Sequence, residues 1–198
     1  MRLDPFYLIV PDAEVLNALV PLGVRLVQLR LKSDDTAEVR RQVARSQALC
    51  ARYGAQLVVN DHWQIAIDLG ADAVHLGQED LDTADLPALR RAGIAVGIST
   101  HDDAELERAL ALSPAYVALG PVYPTLLKQM PWQPQGLDKL TRWKARIGAL
   151  PLVAIGGMTL PRLPGVFAAG ADCAAVVTDI VTAPDPAART RAWLKATR

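Results

Sequence analysis

The 198-residue sequence has little of what marks several classes of protein. Lysine and arginine together number 21, as do aspartate and glutamate, so no net charge attracts nucleic acid or anionic lipid. Aromatic residues make up 5% of the chain, and no apolar run approaches the ~20 residues that cross a bilayer. We therefore expect no nucleic-acid partner and no membrane span.

Cysteine is also scarce, with only Cys50 and Cys173. Neither lies in a metal-ligand spacing, and both fall in segments with a buried pattern, which indicates reduced thiols packed in the interior. The segment after Met1 lacks the apolar stretch of a signal peptide. These features predict a cytoplasmic protein.

What the chain does contain is enough apolar surface for one core. Hydrophobic residues account for 51% of the sequence, and a chain of this length buries about 70% of its unfolded surface. No low-complexity linker divides the chain and no motif recurs at a fixed period. We expect a single domain over residues 1–198.

Short apolar runs typical of β-strands alternate with amphipathic stretches typical of helices. The clearest helical stretches cover residues 34–53, 102–111 and 137–145, and several open with a residue that can cap the first turn. This alternation predicts a parallel sheet. The predicted strands are residues 6–10, 25–31, 56–59, 73–76, 94–98, 116–119, 152–155 and 173–177.

Eight strand–helix units share the chain, about 25 residues each, which is close to the minimum for such a unit. This favours a closed (β/α)8 barrel, the TIM barrel. The alternative is an open doubly wound sheet, which usually has five or six strands and an early glycine-rich turn. No such turn follows the first predicted strand.

A barrel of this kind carries its active site at the carboxyl ends of the strands. Gln28, Arg30 and Lys32 alternate along strand two and share one face, which we expect to be the barrel interior and its mouth. A buried charge is costly without a partner of opposite sign, so these cations indicate an anionic ligand. Alternatively, Lys32 simply emerges into solvent at the strand end.

Asp61 and Asp80 follow the ends of strands three and four and are expected side by side, roughly 5 Å apart. Mg²⁺ is usually held by one or two carboxylates, with phosphate oxygens and water completing its octahedron. The pair therefore indicates Mg²⁺ and a phosphorylated or pyrophosphorylated ligand. Each aspartate could instead cap a local turn or helix.

Other strand ends add polar and glycine residues. Ser99 ends strand five or begins the following helix, and the long stretch 121–136 after strand six, with Thr125 and Lys128, is typical of a lid or binding loop. Gly156 and Gly157 follow strand seven, where this fold often binds phosphate, although a glycine pair can also form a plain turn. The three histidines are not spaced as a metal set, and we assign none a catalytic role.

In order along the chain, these motifs resemble those of the thiamine phosphate synthase family, and the resemblance spans nearly the whole chain. No single motif is decisive, but six in the right order at matching strand ends are highly specific. They are Gln28-Leu29-Arg30-x-Lys32, Asn60-Asp61, His75-Leu76-Gly77-Gln78-Glu79-Asp80, Ser99-Thr100-His101, Gly120-Pro121-x-x-Pro124-Thr125 with Lys128, and Ala154-Ile155-Gly156-Gly157.

The resemblance implies that hydroxymethylpyrimidine diphosphate alkylates thiazole phosphate, giving thiamine phosphate and pyrophosphate in thiamine biosynthesis. It implies Mg²⁺ on Asp61 and Asp80, and catalytic cations at Arg30, Lys32 and Lys128. Expected contacts to the pyrimidine diphosphate come from Gln28, Arg30, Lys32, Asn60, Ser99 and Lys128. Expected contacts to the thiazole phosphate come from Thr125, Gly156, Gly157, Val177 and Thr178.

Two departures from the family pattern lie on the thiazole side. Leu127 replaces a hydroxyl residue that usually precedes the loop lysine, and Asp179 brings a negative charge after strand eight. Two alternatives therefore stay open: a thiazole tautomerase, which needs no diphosphate site, and a non-catalytic or regulatory homologue that binds thiazole phosphate. Retention of both aspartates argues against the first. The oligomeric state is not predicted.

Overall fold

The computed structural model describes residues 1, 3–125 and 133–198, and these form a closed barrel of parallel strands in sequential order, β1 to β8. The predicted (β/α)8 barrel is confirmed. The strands are β1 (Phe6–Val10), β2 (Leu26–Leu29), β3 (Gln56–Asn60), β4 (Ala73–Leu76), β5 (Ala95–Thr100), β6 (Tyr116–Leu119), β7 (Leu152–Ile155) and β8 (Cys173–Val176).

Helices follow the strands and surround the barrel. They are α1 (Ala13–Leu19), α2 (Thr36–Tyr53), α3 (Trp63–Asp68), α4 (Leu86–Arg91), α5 (Asp103–Ala111), α6 (Gly136–Ile147), α7 (Leu163–Ala168), α8 (Thr178–Val181) and α9 (Pro186–Ala196). Short 3₁₀ turns cover Val20–Leu22, Asp80–Asp82 and Leu160–Arg162. Among the described residues, no helix is long and apolar enough to cross a membrane.

Aspartate side chains begin many of the helices, as the capping pattern predicts. Each accepts a hydrogen bond from a backbone N–H of the first turn, which would otherwise lack a partner. Asp35, for example, accepts from Ala37 and Glu38 at the start of α2, and Gly54, with φ of 64°, caps the other end of this helix. The other aspartate caps are Asp12, Asp85, Asp102 and Asp185.

Side chains along each strand alternate between two apolar layers. Val27 and Leu29 of β2 belong to the outer layer between sheet and helices, whereas Leu26 belongs to the barrel interior. The predicted orientation of strand two is therefore correct, with Gln28 buried on the inner side. The interior is also polar in part, because Gln28, Asn60 and His75 are all buried there.

Four predicted strands, β2, β3, β5 and β8, differ from the structure at one or both ends, and the differences at β2 and β5 are the largest. Strand β2 ends at Leu29 rather than residue 31, although the Arg30 N–H beyond it still donates to the Val10 carbonyl at the end of β1. Strand β5 extends to Thr100, since Ser99 and Thr100 pair with Ala118 and Leu119 of β6. Ser99 is thus a strand residue, and α5 begins later, after its cap.

Candidate active site

The carboxyl ends of strands β2 to β5 bring most of the predicted polar residues to one side of the barrel mouth. Gln28 pairs with Val58 across β2 and β3, and Asn60 pairs with His75 across β3 and β4. Asp61 follows directly, and its backbone N–H donates to the His75 carbonyl at 3.0 Å. Parallel pairing therefore joins residues that are far apart in the sequence.

Asp61 and Asp80 lie within hydrogen-bonding reach of each other. The Asp80 carboxylate accepts a 2.8 Å hydrogen bond from the Gly77 N–H, which holds it against the end of β4. Burial raises the pKa of Asp80, Gly77 opposes that shift, and the neighbouring Asp61 carboxylate adds to it. A carboxylate whose ionisation is opposed by a neighbouring carboxylate marks a site that favours a cation.

Asp61 does not cap helix α3, and its position is set by its backbone conformation. Its φ of 62° lies in the left-handed region, and α3 begins after His62 without a side-chain cap. Lys32 Nζ lies 2.5 Å from Asp61 Oδ2, so this lysine pairs across the strand ends while remaining largely exposed. Arg30 follows β2 on the same side of the mouth, close enough to His75 to lower its pKa slightly.

The donor set fits a Mg²⁺ ion that is completed by substrate. In the described part of the chain, no group of three or more histidine, cysteine, aspartate or glutamate residues could enclose a metal by itself. Two hard carboxylate ligands suit Mg²⁺, which commonly takes its remaining ligands from phosphate and water. Asp61 and Asp80 would hold the ion, and a diphosphate would share it.

Two buried amide atoms next to these aspartates, one on Asn60 and one on Gln78, lack a hydrogen-bond partner within the described residues. Asn60 is 4% exposed, and its Nδ2 group has no acceptor there. Gln78 donates from Nε2 to the Ser99 carbonyl at 2.7 Å, while its Oε1 atom has no donor there. Unpaired buried polar atoms are costly, so both atoms indicate positions for ligand groups.

Five polar side chains form a continuous hydrogen-bonded chain through the barrel, which we call the interior array. Gln28 Nε2 donates to Tyr7 Oη at 2.8 Å, Tyr7 Oη lies 3.0 Å from Tyr116 Oη, and Tyr116 Oη lies 2.9 Å from His75 Nδ1. His75 Nε2 then lies 2.7 Å from Ser99 Oγ. The array joins β2, β1, β6, β4 and β5.

Sequence analysis gave no role to three of these residues: Tyr7 and Tyr116 were not considered, and His75 was noted only as part of a motif. The available signal was their position, since each is a polar side chain on the inner face of an otherwise apolar strand. Burial lowers the pKa of His75 to about 4, so the ring is neutral at physiological pH. The other histidines have local roles, His62 beside the Leu31 carbonyl and His101 beside Glu105.

Gly156 and Gly157 form the turn after β7 on the opposite side of the mouth. Both have positive φ, 95° and 64°, and a side chain at either position would meet the loop after β6. A Cβ at Gly156 would lie 2.6 Å from Pro121 Cα, and one at Gly157 would lie 2.5 Å from the Pro124 carbonyl oxygen. The glycines are therefore required by close packing of two loops.

The end of β8 completes this side. Ile155 at the end of β7 pairs with Ala175 of β8, Val177 follows β8 directly, and Thr178 begins the short helix α8. Thr125 ends the described part of the loop after β6, and it has a polar contact of its own. Leu127 and Lys128 lie outside the described residues.

The negative charge of Asp179 is compensated by side chains of helix α9. Its Oδ2 atom accepts a 2.7 Å hydrogen bond from Trp193 Nε1 and lies 3.9 Å from Arg189 Nε, both on helix α9. Asp179 is therefore a structural link between α8 and α9.

A (β/α)8 barrel with carboxylates and cations on one side of its mouth, and a glycine turn on the other, is a typical enzyme architecture. Residues 6–180 match the family model described as thiamine monophosphate synthase, so the chain belongs to that family. The resemblance predicted from the motifs is confirmed.

Individual relatives agree with this assignment. The chain is 59% identical over 197 residues to the thiamine-phosphate synthase of Rhizobium etli, covering 100% of this chain and 97% of the relative. It is 50% identical to that of Cronobacter sakazakii, covering 90% and 85%. The solved thiamine phosphate pyrophosphorylase of Pyrococcus furiosus superposes with a TM-score of 0.85 at 26% identity, covering 97% and 94%.

Proposed function

We propose that this protein is a Mg²⁺-dependent thiamine-phosphate synthase that joins hydroxymethylpyrimidine diphosphate to thiazole phosphate and releases pyrophosphate. The observation that carries the proposal is the meeting of Asp61 and Asp80 beside Lys32 at the barrel mouth. Carboxylates suited to a divalent cation and a lysine suited to phosphate stand together where the fold binds substrates.

The diphosphate would lie on the β2 to β4 side. Arg30 and Lys32 would stabilise the negative charge that develops as pyrophosphate leaves, and Lys128 would add a third cation from the loop after β6. Mg²⁺ on Asp61 and Asp80 would supply further stabilisation of the leaving group. Departure of pyrophosphate leaves a pyrimidine cation that the thiazole nitrogen attacks, so no protein nucleophile is needed.

The pyrimidine ring would be oriented by side chains lining the mouth. Gln28, Ser99 and the Asn60 Nδ2 group, which has no acceptor in the described part of the chain, would supply the directional contacts. Asn60 can donate to an acceptor on the substrate, which would remove the cost of its buried and unpaired amide.

The thiazole phosphate would lie on the β6 to β8 side. Backbone groups of Gly156, Gly157, Val177 and Thr178 would hold it, together with the Thr125 hydroxyl. Asp179 does not oppose this arrangement, because its carboxylate accepts a hydrogen bond from Trp193 and lies near Arg189. A thiazole tautomerase would not need the diphosphate side, so the paired aspartates favour the synthase. The cytoplasmic location expected from the sequence stays a prediction.

The direct test is to mix the purified protein with Mg²⁺ and both substrates and to measure thiamine phosphate by its oxidised fluorescence. We expect product formation that depends on both substrates and on Mg²⁺. A folded protein that gives no product would contradict the proposed function.

The metal assignment is tested by Asp61→Asn and Asp80→Asn. Because each substitution removes a charged ligand, we expect kcat/KM to fall by roughly 10²- to 10³-fold. Mn²⁺ binding in the presence of pyrophosphate, followed by electron paramagnetic resonance, should weaken in parallel. Asp82→Asn is the matched control, since Asp82 is exposed and pairs with Arg108. Unchanged turnover and Mn²⁺ binding in both site variants would contradict the metal site.

A further inference from the structure

We infer that the interior array has a single direction of hydrogen bonding, which makes Ser99 a hydrogen-bond donor to the pyrimidine substrate and makes Tyr7, Tyr116 and His75 positioning residues. The array begins at Gln28 and ends at Ser99, and each of these residues lies one position before the carboxyl end of its strand, the end at which the mouth lies. This inference deepens the proposed function and rests on it for the identity of the substrate.

The direction follows from the number of protons that each group can supply. The Gln28 group that contacts Tyr7 is the amide nitrogen, which only donates. Tyr7 has a single hydroxyl proton, and its neighbours in the array are this donor and Tyr116 Oη at 3.0 Å. The Tyr7 proton must therefore point to Tyr116, because pointing it at Gln28 would place two donors face to face.

The same reasoning carries the direction to Ser99. Tyr116 accepts from Tyr7, so its own proton is directed to His75 Nδ1 at 2.9 Å. A neutral imidazole carries one N–H, which must then be on Nε2 and donates to Ser99 Oγ at 2.7 Å. Ser99 accepts from His75, and its hydroxyl proton remains for a group in the mouth.

Burial makes the direction of these hydrogen bonds important for the energy of the folded state. Tyr7 and Tyr116 are essentially fully buried and His75 is 8% exposed, so a reversed proton would leave an unpaired polar group inside the barrel. The rings are held by packing as well. Tyr7 and Tyr116 meet edge to face with centroids 6.2 Å apart, and His75 stacks on Tyr116 at 5.6 Å.

Gly97 on β5 supplies the space that Tyr116 occupies. Gly97 pairs with both His75 and Tyr116 across the neighbouring strands, and a Cβ at this position would overlap the Tyr116 ring. A large phenol in the interior thus depends on a residue without a side chain beside it. The geometry of the His75–Tyr116 part of the array is therefore set by three adjacent strands, β4, β5 and β6.

The array leaves one hydrogen-bond donor, on Ser99, and one acceptor, on Gln28, for a ligand. Ser99 presents a proton, which suits a ring nitrogen with a lone pair. Gln28 uses its nitrogen for Tyr7, so its Oε1 atom is directed as an acceptor, which suits an exocyclic amino group. An aminopyrimidine carries both kinds of group. A ring lacking such an acceptor would leave the Ser99 proton unpaired.

The first experiment determines the tautomer of His75. Protein labelled with ¹⁵N in its histidine rings is examined by long-range ¹H–¹⁵N correlation without substrate at pH 7.5, and the signals are assigned with His62→Gln and His101→Gln. We expect Nε2 to be protonated and Nδ1 to be unprotonated. A protonated Nδ1 would reverse the array and overturn the inference.

The second experiment measures coupling between Tyr116 and Ser99. We expect Tyr116→Phe and Ser99→Ala each to lower kcat/KM for hydroxymethylpyrimidine diphosphate about tenfold, as for one lost hydrogen bond, without changing KM for thiazole phosphate. The double variant should be no worse than Ser99→Ala alone. Tyr53→Phe removes an exposed phenol outside the barrel and should match the unaltered protein.

Multiplying effects in the double variant, or an equal loss for both substrates, would overturn the positioning role. The tautomer is read on the unaltered protein, so it does not depend on how well a variant folds. Absence of turnover in the unaltered protein would contradict the proposed function and not the direction of the array.

Discussion

Single residues inside the barrel combine burial with polarity. His75 is an example, because it packs among apolar side chains while both ring nitrogens have partners in the interior array. Burial disfavours the charged imidazolium, which lowers the pKa of His75 to about 4. Asp61 raises this pKa and Arg30 lowers it, but both effects are smaller than that of burial.

This depressed pKa makes the folded state sensitive to acid. The ordinary value is 6.5 and the folded value is about 4, so the unfolded chain binds more protons between these limits. The contribution of neutral His75 is present above pH 6.5 and is lost as pH falls towards 4. We expect about 2 to 3 kcal/mol less unfolding free energy from this residue at pH 4.5 than at pH 7.

Urea unfolding of the unaltered protein and of His75→Gln at both pH values measures this contribution. Asp80 has a raised pKa, so its protonation works in the opposite direction and is present in both proteins. The difference between the two pH slopes therefore isolates His75. Equal slopes would show that burial of this imidazole does not govern acid stability.

At the scale of elements, the described part of the loop after β6 and the turn after β7 are held together by hydrogen bonds. Val122 N–H donates to the Ile155 carbonyl at 2.8 Å, and Tyr123 N–H donates to the Gly156 carbonyl at 3.1 Å. Arg162 donates to the Gly157 carbonyl and lies over the Tyr123 ring with its Cζ atom 4.4 Å from the centroid. The shape of the proposed thiazole-phosphate side thus depends on both loops together.

Gly157→Ala tests this dependence. The new methyl group would lie 2.5 Å from the Pro124 carbonyl oxygen, so the loop after β6 must shift. We expect KM for thiazole phosphate to rise by roughly tenfold or more, with little change in KM for the pyrimidine diphosphate, as measured by steady-state kinetics.

Gly54→Ala provides a control with the same backbone strain. Gly54 also has φ of 64°, but no atom lies within 4 Å of an added Cβ. This variant should lose about 1 kcal/mol of stability and keep both KM values. Equal kinetic effects in the two variants would show that strain, and not contact between the loops, is responsible.

At the scale of the whole molecule, the barrel closes where β1 meets β8, and helix α9 covers that junction. Trp193 is fully buried, stacks on Phe6 with centroids 5.5 Å apart and donates to Asp179. One side chain thereby links the first strand, the helix after the last strand and the carboxyl-terminal helix. Closure of this kind removes both sheet edges.

We expect Trp193→Ala to lower the free energy of unfolding by about 3 to 5 kcal/mol, because it removes a large buried ring and leaves Asp179 without its donor. Trp193→Phe keeps most of the packing and loses the hydrogen bond, so its loss should be smaller. Urea midpoints with unchanged m values would measure both. A midpoint unchanged in Trp193→Ala would contradict a role of α9 in closure.

The sequence alone determined the fold class and the family. Eight apolar runs at short intervals indicated a closed barrel, and period-two alternation correctly assigned Gln28 to its inner side. The motif series correctly indicated the family. These properties are local, since they depend on the order and spacing of residues along single strands and loops. The roles assigned to the site residues, Lys128 among them, stay predictions.

Tertiary structure decided what depends on neighbours across the sheet. The sequence does not show that Tyr7, Tyr116 and His75 form one hydrogen-bonded chain, because these residues lie on strands β1, β6 and β4. The sequence also does not show which group pairs with Asp179. In the structure, Trp193 donates a hydrogen bond to this carboxylate. Hydrogen bonds and ion pairs depend on distance in space, and the closed barrel sets those distances.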